Sequence, residues 1–376
     1  MPMPEASQEQ VNQYYSGRLY PEELLEIMSQ DQGWFSSKVV PAKGTASPFA
    51  YDPMDVDRIE IRDNDRKFDF YDYVSVNRIH GMLVLKDGVV RIEKYLGGIS
   101  DRTIWKSCSM AKSITSTLVG VAVHAGHIRS LEDPVSMYVD AGPLYEKVSV
   151  RQLLRMSSGV RWREDYGDPT SERRRLMDLQ KQWSPDGFLK HMRDMVPETP
   201  PGQSWKYNTG DSYLVGALLE SATGRRVWEL LAELWGEIGA EADGYWWTFS
   251  PDGMTIAGSG YHASLRDYAR FAEFVRGGGK LNGRDLVPSG WFEEASSPFN
   301  IGDRVIPYGY MWWLPSDRFE NLANSFNARG VFGQFMHINP KQGITAVLLS
   351  ARSKPAAGSR FEISDEAFFS ALANWL

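Results

Sequence analysis

The chain is short of cysteine, of histidine and of long apolar runs, and each shortage excludes something. Cys108 is the only cysteine among 376 residues, so no internal disulfide can form, which fits a reducing compartment. The six histidines are scattered, and none shows a metal-binding spacing such as His-Glu-x-x-His, so no metal or cofactor is expected. No apolar run reaches membrane-spanning length. The start, Met1 to Gln8, lacks the basic and apolar regions of a secretory signal, which makes a cytoplasmic setting the expectation. An excess of positive charge is missing too. The 41 Lys and Arg face 48 Asp and Glu, a net charge of −7 that argues against a nucleic-acid or anionic-membrane partner.

What is present is apolar and aromatic. A 42% hydrophobic content over this length allows one large domain or two intimate ones. Trp246-Trp247 and Trp312-Trp313 are candidates for the wall of an apolar cleft, with core packing as the alternative. Cys108 reads as a small buried hydrophobe.

The most informative segment is Ser109-Met110-Ala111-Lys112. It puts a hydroxyl and an amine one helical turn apart, on the same side of a helix. Ile114, Leu118, Ala122 and Ala125 follow at helical spacing, Val119, Val121 and Val123 widen the apolar surface, and Gly126 suits a left-handed cap. Ser109 is therefore expected at the N-terminus of a buried helix, where free N–H groups favour an oxyanion. Burial disfavours a charged Lys112, as a lysine base acting on a serine nucleophile requires. A capping serine and a snorkelling lysine would give the same four letters. A second element adds weight to the catalytic reading. Tyr207, in Tyr207-Asn208-Thr209, lies on a loop before a helix that Asp211 or Ser212 should cap and Gly224 should end. A phenol there could relay a proton to a leaving group.

Ser-x-x-Lys on a buried helix, then Tyr-x-Asn about a hundred residues on, resembles the serine β-lactamase and penicillin-binding-protein superfamily. Gly126 to Val135 is similar to its segment after the nucleophile helix, Val148 to Gly159 to its "Thr-Ile-Arg-Gln-Leu-Leu" segment, and Tyr308 to Trp313 to its late aromatic strand. Trp162 to Pro169 and Gly330 to Gln334 resemble the esterase-like branch that includes the 6-aminohexanoate-dimer hydrolases. The resemblance implies Ser109 as nucleophile, Lys112 as base and Tyr207 as relay. It implies an oxyanion hole from the backbone of Ser109 and Gln334, and substrate contacts at Tyr166, a lid candidate, and Gly333. It also implies an α/β (α+β) fold, an antiparallel sheet flanked by helices with an inserted all-helical domain. The expected units are an N-terminal extension over 1–65, a sheet domain over 66–108 and 261–376, and a mainly helical domain over 109–260.

The pattern departs from the family in ways that bear on substrate. The register that aligns Gly333 puts Val331-Phe332-Gly333 where lactam-recognising members carry Lys-Thr-Gly, leaving Arg329 as the nearby cation and the register open between Arg329 and Val331. Met177 and Gly258 fall where the nylon-oligomer hydrolases carry polar groups. The expected partner is a small, weakly charged ester or amide. A β-lactamase or D-amino-acid peptidase, an acyltransferase and a non-enzymatic binding module are the alternatives. A homodimer is compatible with the sequence, which leaves oligomeric state open. Among local elements, a helix over Pro21–Met28, a hairpin turning at Asp87-Gly88, a helix opened by Ser264, strands over Tyr308–Leu314 and Ile344–Leu349, and a terminal helix capped by Ser364 are predicted.

Overall fold

Period-two alternation in the last long strand organises the molecule. In a computed structural model, which describes residues 7–30, 33–184, 186–356 and 361–376, Ile344, Ala346 and Leu348 face one apolar cluster while Val347 and Leu349 face another. A strand buried on both faces must be covered on both, and helices do so here. Its sheet contains β2 (Ala50–Tyr51), β3 (Ile79–Lys86), β4 (Val89–Tyr95), β8 (Phe326–Gly330), β9 (Gln334–Asn339) and β10 (Ile344–Ser350), in the order β8-β9-β10-β3-β4-β2. Every neighbouring pair is antiparallel except β2–β4. A smaller antiparallel sheet runs β1-β6-β7-β5, from β1 (Ser37–Val40), β5 (Ile104–Lys106), β6 (Gly244–Trp247) and β7 (Tyr261–Ser264). The sheet built from both ends of the chain, with helices between, is the architecture expected from the sequence.

The helices that position the site are α1 (Gln8–Tyr15), α2 (Pro21–Ser29), α3 (Phe70–Val76), α4 (Met110–His124), α5 (Glu172–Lys181), α6 (Thr209–Thr223), α7 (Leu265–Arg276) and α8 (Asp365–Trp375). Helix α4 is buried on most sides and ends at Ala125, with Gly126 at φ 78°. Ser264 caps α7 and Ser364 caps α8, as predicted. Three local expectations change. Helix α6 starts at Thr209, capped by the Asn208 side chain, so Asp211 lies inside its first turn. Residues 308–314 form isolated bridges, Tyr308 to Trp313 and Trp313 to Asn327, because the chain folds back on itself instead of joining a sheet. The N-terminal region holds a second helix, α1, whose short QEQVNQYY sequence buries only Val11, Tyr14 and Tyr15 and gave too few apolar repeats to read. Met1–Ala6, part of the stretch read for a signal, lie outside the described residues. Among those described, no helix is long and apolar enough to cross a membrane.

The terminal helix is tied down by polar contacts as well as by packing. Arg352, 3% exposed, meets Asp365 through two nitrogens at 3.0 and 2.5 Å and Glu362 at 3.3 Å. Tyr73 of α3 donates to the same Asp365 at 2.7 Å and stacks on Phe368. Removing the cation would leave two partly buried carboxylates without their partner, a loss of about 3 kcal/mol, at the low end for a buried pair. Arg352→Met should therefore lower the unfolding free energy in urea by about 3 kcal/mol, and a midpoint equal to the wild type would contradict this account of how α8 is held.

Candidate active site

A left-handed residue places the nucleophile. Strand β5 runs into Ser107, whose N–H donates to Tyr261, and Cys108 then turns at φ 47°. A non-glycine residue in that region costs roughly 1–2 kcal/mol and persists only where its surroundings hold it. Here the Ser107 hydroxyl donates to the Cys108 carbonyl at 3.0 Å, and the Tyr14 hydroxyl lies 3.5 Å from the Cys108 sulfur. The turn sets Ser109 at the head of α4 without making its side chain a cap, which leaves the hydroxyl free.

That hydroxyl meets Lys112. Lys112 Nζ lies 3.0 Å from Ser109 Oγ and donates to the Gly258 carbonyl at 2.8 Å. Lys112 is 1% exposed. Burial pushes its pKa down to about 7, opposed by the negative charge of Glu164 and assisted by Arg173. Gly258 allows the approach, since a Cβ there would fall 2.1 Å from Ser212 Oγ.

Tyr207 immediately precedes Asn208, the cap of α6, and is held by a strap in which Gly202 N–H donates to Ser157 and Lys206 N–H to Met156. Its ring lies 5.3 Å from Lys112 Nζ. Burial raises the Tyr207 pKa well above the usual phenol value and Glu164 adds to this, while a hydrogen bond with Ser109 pulls the other way. The phenol thus keeps its proton at neutral pH. Tyr207 packs on Trp313, and Trp313 on Tyr308 and Trp205. Of the four paired tryptophans only Trp313 reaches this wall, and Trp246, Trp247 and Trp312 belong to the core.

The remaining expected residues are placed as follows. Tyr166 stacks on Tyr15 at 5.8 Å and donates to Glu164 at 3.0 Å. Gln334 pairs with Gly330 in the β8–β9 ladder, and its side chain points inward, accepting from Trp105 at 2.8 Å and donating to Ser350 at 2.7 Å. At Gly333 a Cβ would meet Arg352 at 2.3 Å, so this glycine abuts the far side of the sheet. The register moves the close approach to Gly330, where a Cβ would fall 2.6 Å from the Ser107 carbonyl and 3.0 Å from Cys108. The N–H groups of Ser109 and Val331 have no acceptor among the described residues. Arg329 sits opposite Phe335 in the ladder, with its guanidinium 5.3 Å from the Trp313 ring. Among the described residues no group of three His, Cys, Asp or Glu could hold a metal ion.

A model of the Beta-lactamase family matches residues 72–367. The chain belongs to that family. It is a beta-lactamase-family serine hydrolase in which α1 and α2 precede the matched segment. A 6-aminohexanoate-dimer hydrolase of Paenarthrobacter ureafaciens is 26% identical over 295 residues, covering 73% of this chain and 72% of that protein. A solved Bacillus anthracis structure, provisionally named a 6-aminohexanoate-dimer hydrolase, superposes with TM-score 0.80 at 20% identity over 98% of this chain and 96% of the other. A family VIII carboxylesterase superposes with TM-score 0.62 at 16% identity, over 82% of this chain and 97% of its own. These two structures share the fold.

Sequence reading missed Glu164 and Arg173, both close to the beta-lactamase-family site. Their signal was faint, an acidic residue two before the lid candidate Tyr166 and an arginine at the start of α5. The state of Lys112 gives a pH prediction. A base must be unprotonated, so the reactive fraction falls tenfold per unit below a pKa near 7. Labelling of Ser109 by a fluorophosphonate should show an acid limb with a midpoint near pH 7. A rate flat between pH 5 and 8 would exclude Lys112 as the base.

Proposed function

We propose that the protein hydrolyses a small, weakly charged carboxylic ester or amide through an acyl-serine intermediate. The observation that carries this reading is the contact of Ser109 with a buried lysine whose pKa, lowered to about 7, leaves about half of it as the amine at neutral pH. Ser109 Oγ attacks the carbonyl carbon and its proton passes to Lys112. The oxyanion accepts from the free N–H groups of Ser109 and, in place of Gln334, of Val331, which follows the glycine pressed against the nucleophile turn. Collapse breaks the bond to the leaving group, which takes a proton from Tyr207, and the Lys112 ammonium restores the phenol. Water then repeats the sequence and releases the acid.

The proposed placement lies between the units expected from the sequence. Ser109, Lys112 and Tyr207 come from 109–260, and Val331 comes from the sheet part, 66–108 and 261–376. The names of the relatives, an amide hydrolase and a carboxylesterase, favour ester or amide over lactam. So does the absence of Lys-Thr-Gly from the strand. Met177 is fully buried in the core and Gly258 has no room for a side chain, so neither offers a charged substrate a partner. The Trp313, Tyr308 and Trp205 wall suits an apolar group.

Intact-mass measurement with p-nitrophenyl butyrate should show an acyl adduct and p-nitrophenol release for the wild type, and neither for Ser109→Ala, whose turnover should fall by at least roughly ten-thousand-fold. Tyr207→Phe should keep the adduct and lower kcat by roughly a hundredfold or more. Undiminished release by a folded Ser109→Ala would refute the reading.

A further inference from the structure

We infer that Glu164 is a positioning residue for this site, fastening the Tyr166 loop to the start of α6 and presenting a carboxylate to the Ser109–Lys112–Tyr207 group. The part concerning Lys112 rests on the serine-hydrolase reading above, and the fastening does not. The carboxylate is 13% exposed and all its contacts are donors. Trp162 Nε1 donates at 2.6 Å, Tyr166 OH at 3.0 Å, the Thr209 N–H at 3.0 Å and the Thr209 hydroxyl at 2.5 Å. Arg173 Nε stands 3.5 Å away. Two of these donors lie on the loop before α5 and two on the first residue of α6, two positions past Tyr207. One side chain therefore couples the lid candidate to the proton relay.

The chemistry requires an acceptor-only group. An ionised carboxylate has about four lone-pair sites, and four donors fill them here. A glutamine would turn an NH2 towards donors and leave buried groups unmade. The same carboxylate acts through its field, raising the pKa of Lys112, of Tyr207 and of Tyr166. The other ionisable groups facing Lys112 are Arg173, which lowers its pKa, Cys108, which raises it, and the phenol of Tyr207. Arg173 lies against both Tyr15 and Tyr166, 5.3 and 5.6 Å from the ring centres. Tyr15 belongs to α1, outside the family-matched segment, so the N-terminal extension supplies the surface on which Tyr166 rests.

The test compares wild type, Glu164→Gln and Glu164→Asp by hydrogen-exchange mass spectrometry over residues 162–168 and 207–212, and by the pH dependence of fluorophosphonate labelling at Ser109. Glu164→Gln removes the anion that favours the ammonium, so the acid limb should move to lower pH by about one unit. Exchange in both segments should rise about tenfold. Glu164→Asp keeps the charge on a shorter arm, so its limb should stay with the wild type while exchange still rises. Tyr166→Phe, a milder change should Glu164→Gln fail to fold, should speed exchange in 162–168 and leave the limb unmoved. Unchanged exchange in both Glu164 variants overturns the fastening, and an unmoved limb in Glu164→Gln overturns the charge role. Wild-type protein whose Ser109 never labels would refute the hydrolase reading instead, with the exchange data still deciding the fastening.

Discussion

The structure depends on holding an amine inside protein, where its charge is costly. Lys112 is nearly sealed from water, and the cost of its charge brings its pKa to about 7 instead of the ordinary 10.5. An amine in that position still needs hydrogen-bond partners, and the segment Thr255–Gly258 provides one. That segment is stapled along its length. Glu220 accepts from Thr255, Trp246 donates to the Ile256 carbonyl, Thr115 of α4 donates to Ala257, and Lys112 donates to Gly258. It can lie so close to α6 because Gly216 has no side chain, for a Cβ there would fall 2.3 Å from Ala257. Two glycines on neighbouring elements thus decide where a catalytic candidate finds its acceptor.

A second constraint brings the sheet to the helix. The left-handed Cys108 tips Ser109 to the end of β5, and Gly330 lets the β8–β9 turn approach that residue closely. Backbone is the only group small enough to fit on both sides of such a contact. That is why the donors proposed for an oxyanion are main-chain N–H groups, which carry a partial charge and need no side chain to order them.

How much of this the sequence shows depends on how local each signal is. Ser109 and Lys112 share one helix, so a three-residue spacing was enough to pair them. Tyr207 was legible as a turn beside a helix start, though Asn208, and neither Asp211 nor Ser212, proved to be the cap. Elements fixed by distant contacts were harder. The register of the last active-site strand stayed open between Arg329 and Val331, because a two-residue shift keeps the same faces inward and the contact of Gly330 with Ser107 and Cys108 leaves no mark in the sequence. The segment 308–314 has strand composition but pairs only with itself and Asn327. Glu164 left almost no trace, because its role comes from donors 45 residues away at Thr209.

Burial acts on the two titrating partners of Ser109 in opposite senses with one result. It lowers the amine of Lys112 and raises the phenol of Tyr207, since in each case the charged form is the one that loses water. At neutral pH the phenol is neutral and much of the amine is too. Opposed shifts of neighbouring groups are how a site assigns an acid and a base. On the proposed reading they leave the acid and nucleophile neutral, and about half of the base, until a substrate carbonyl accepts the serine oxygen. In that reading the first full charge falls on the carbonyl oxygen, facing the N–H groups of Ser109 and Val331, and the second on Lys112, within the field of Glu164. A site built this way spends little on holding charge at rest and concentrates its electrostatics on the transition state.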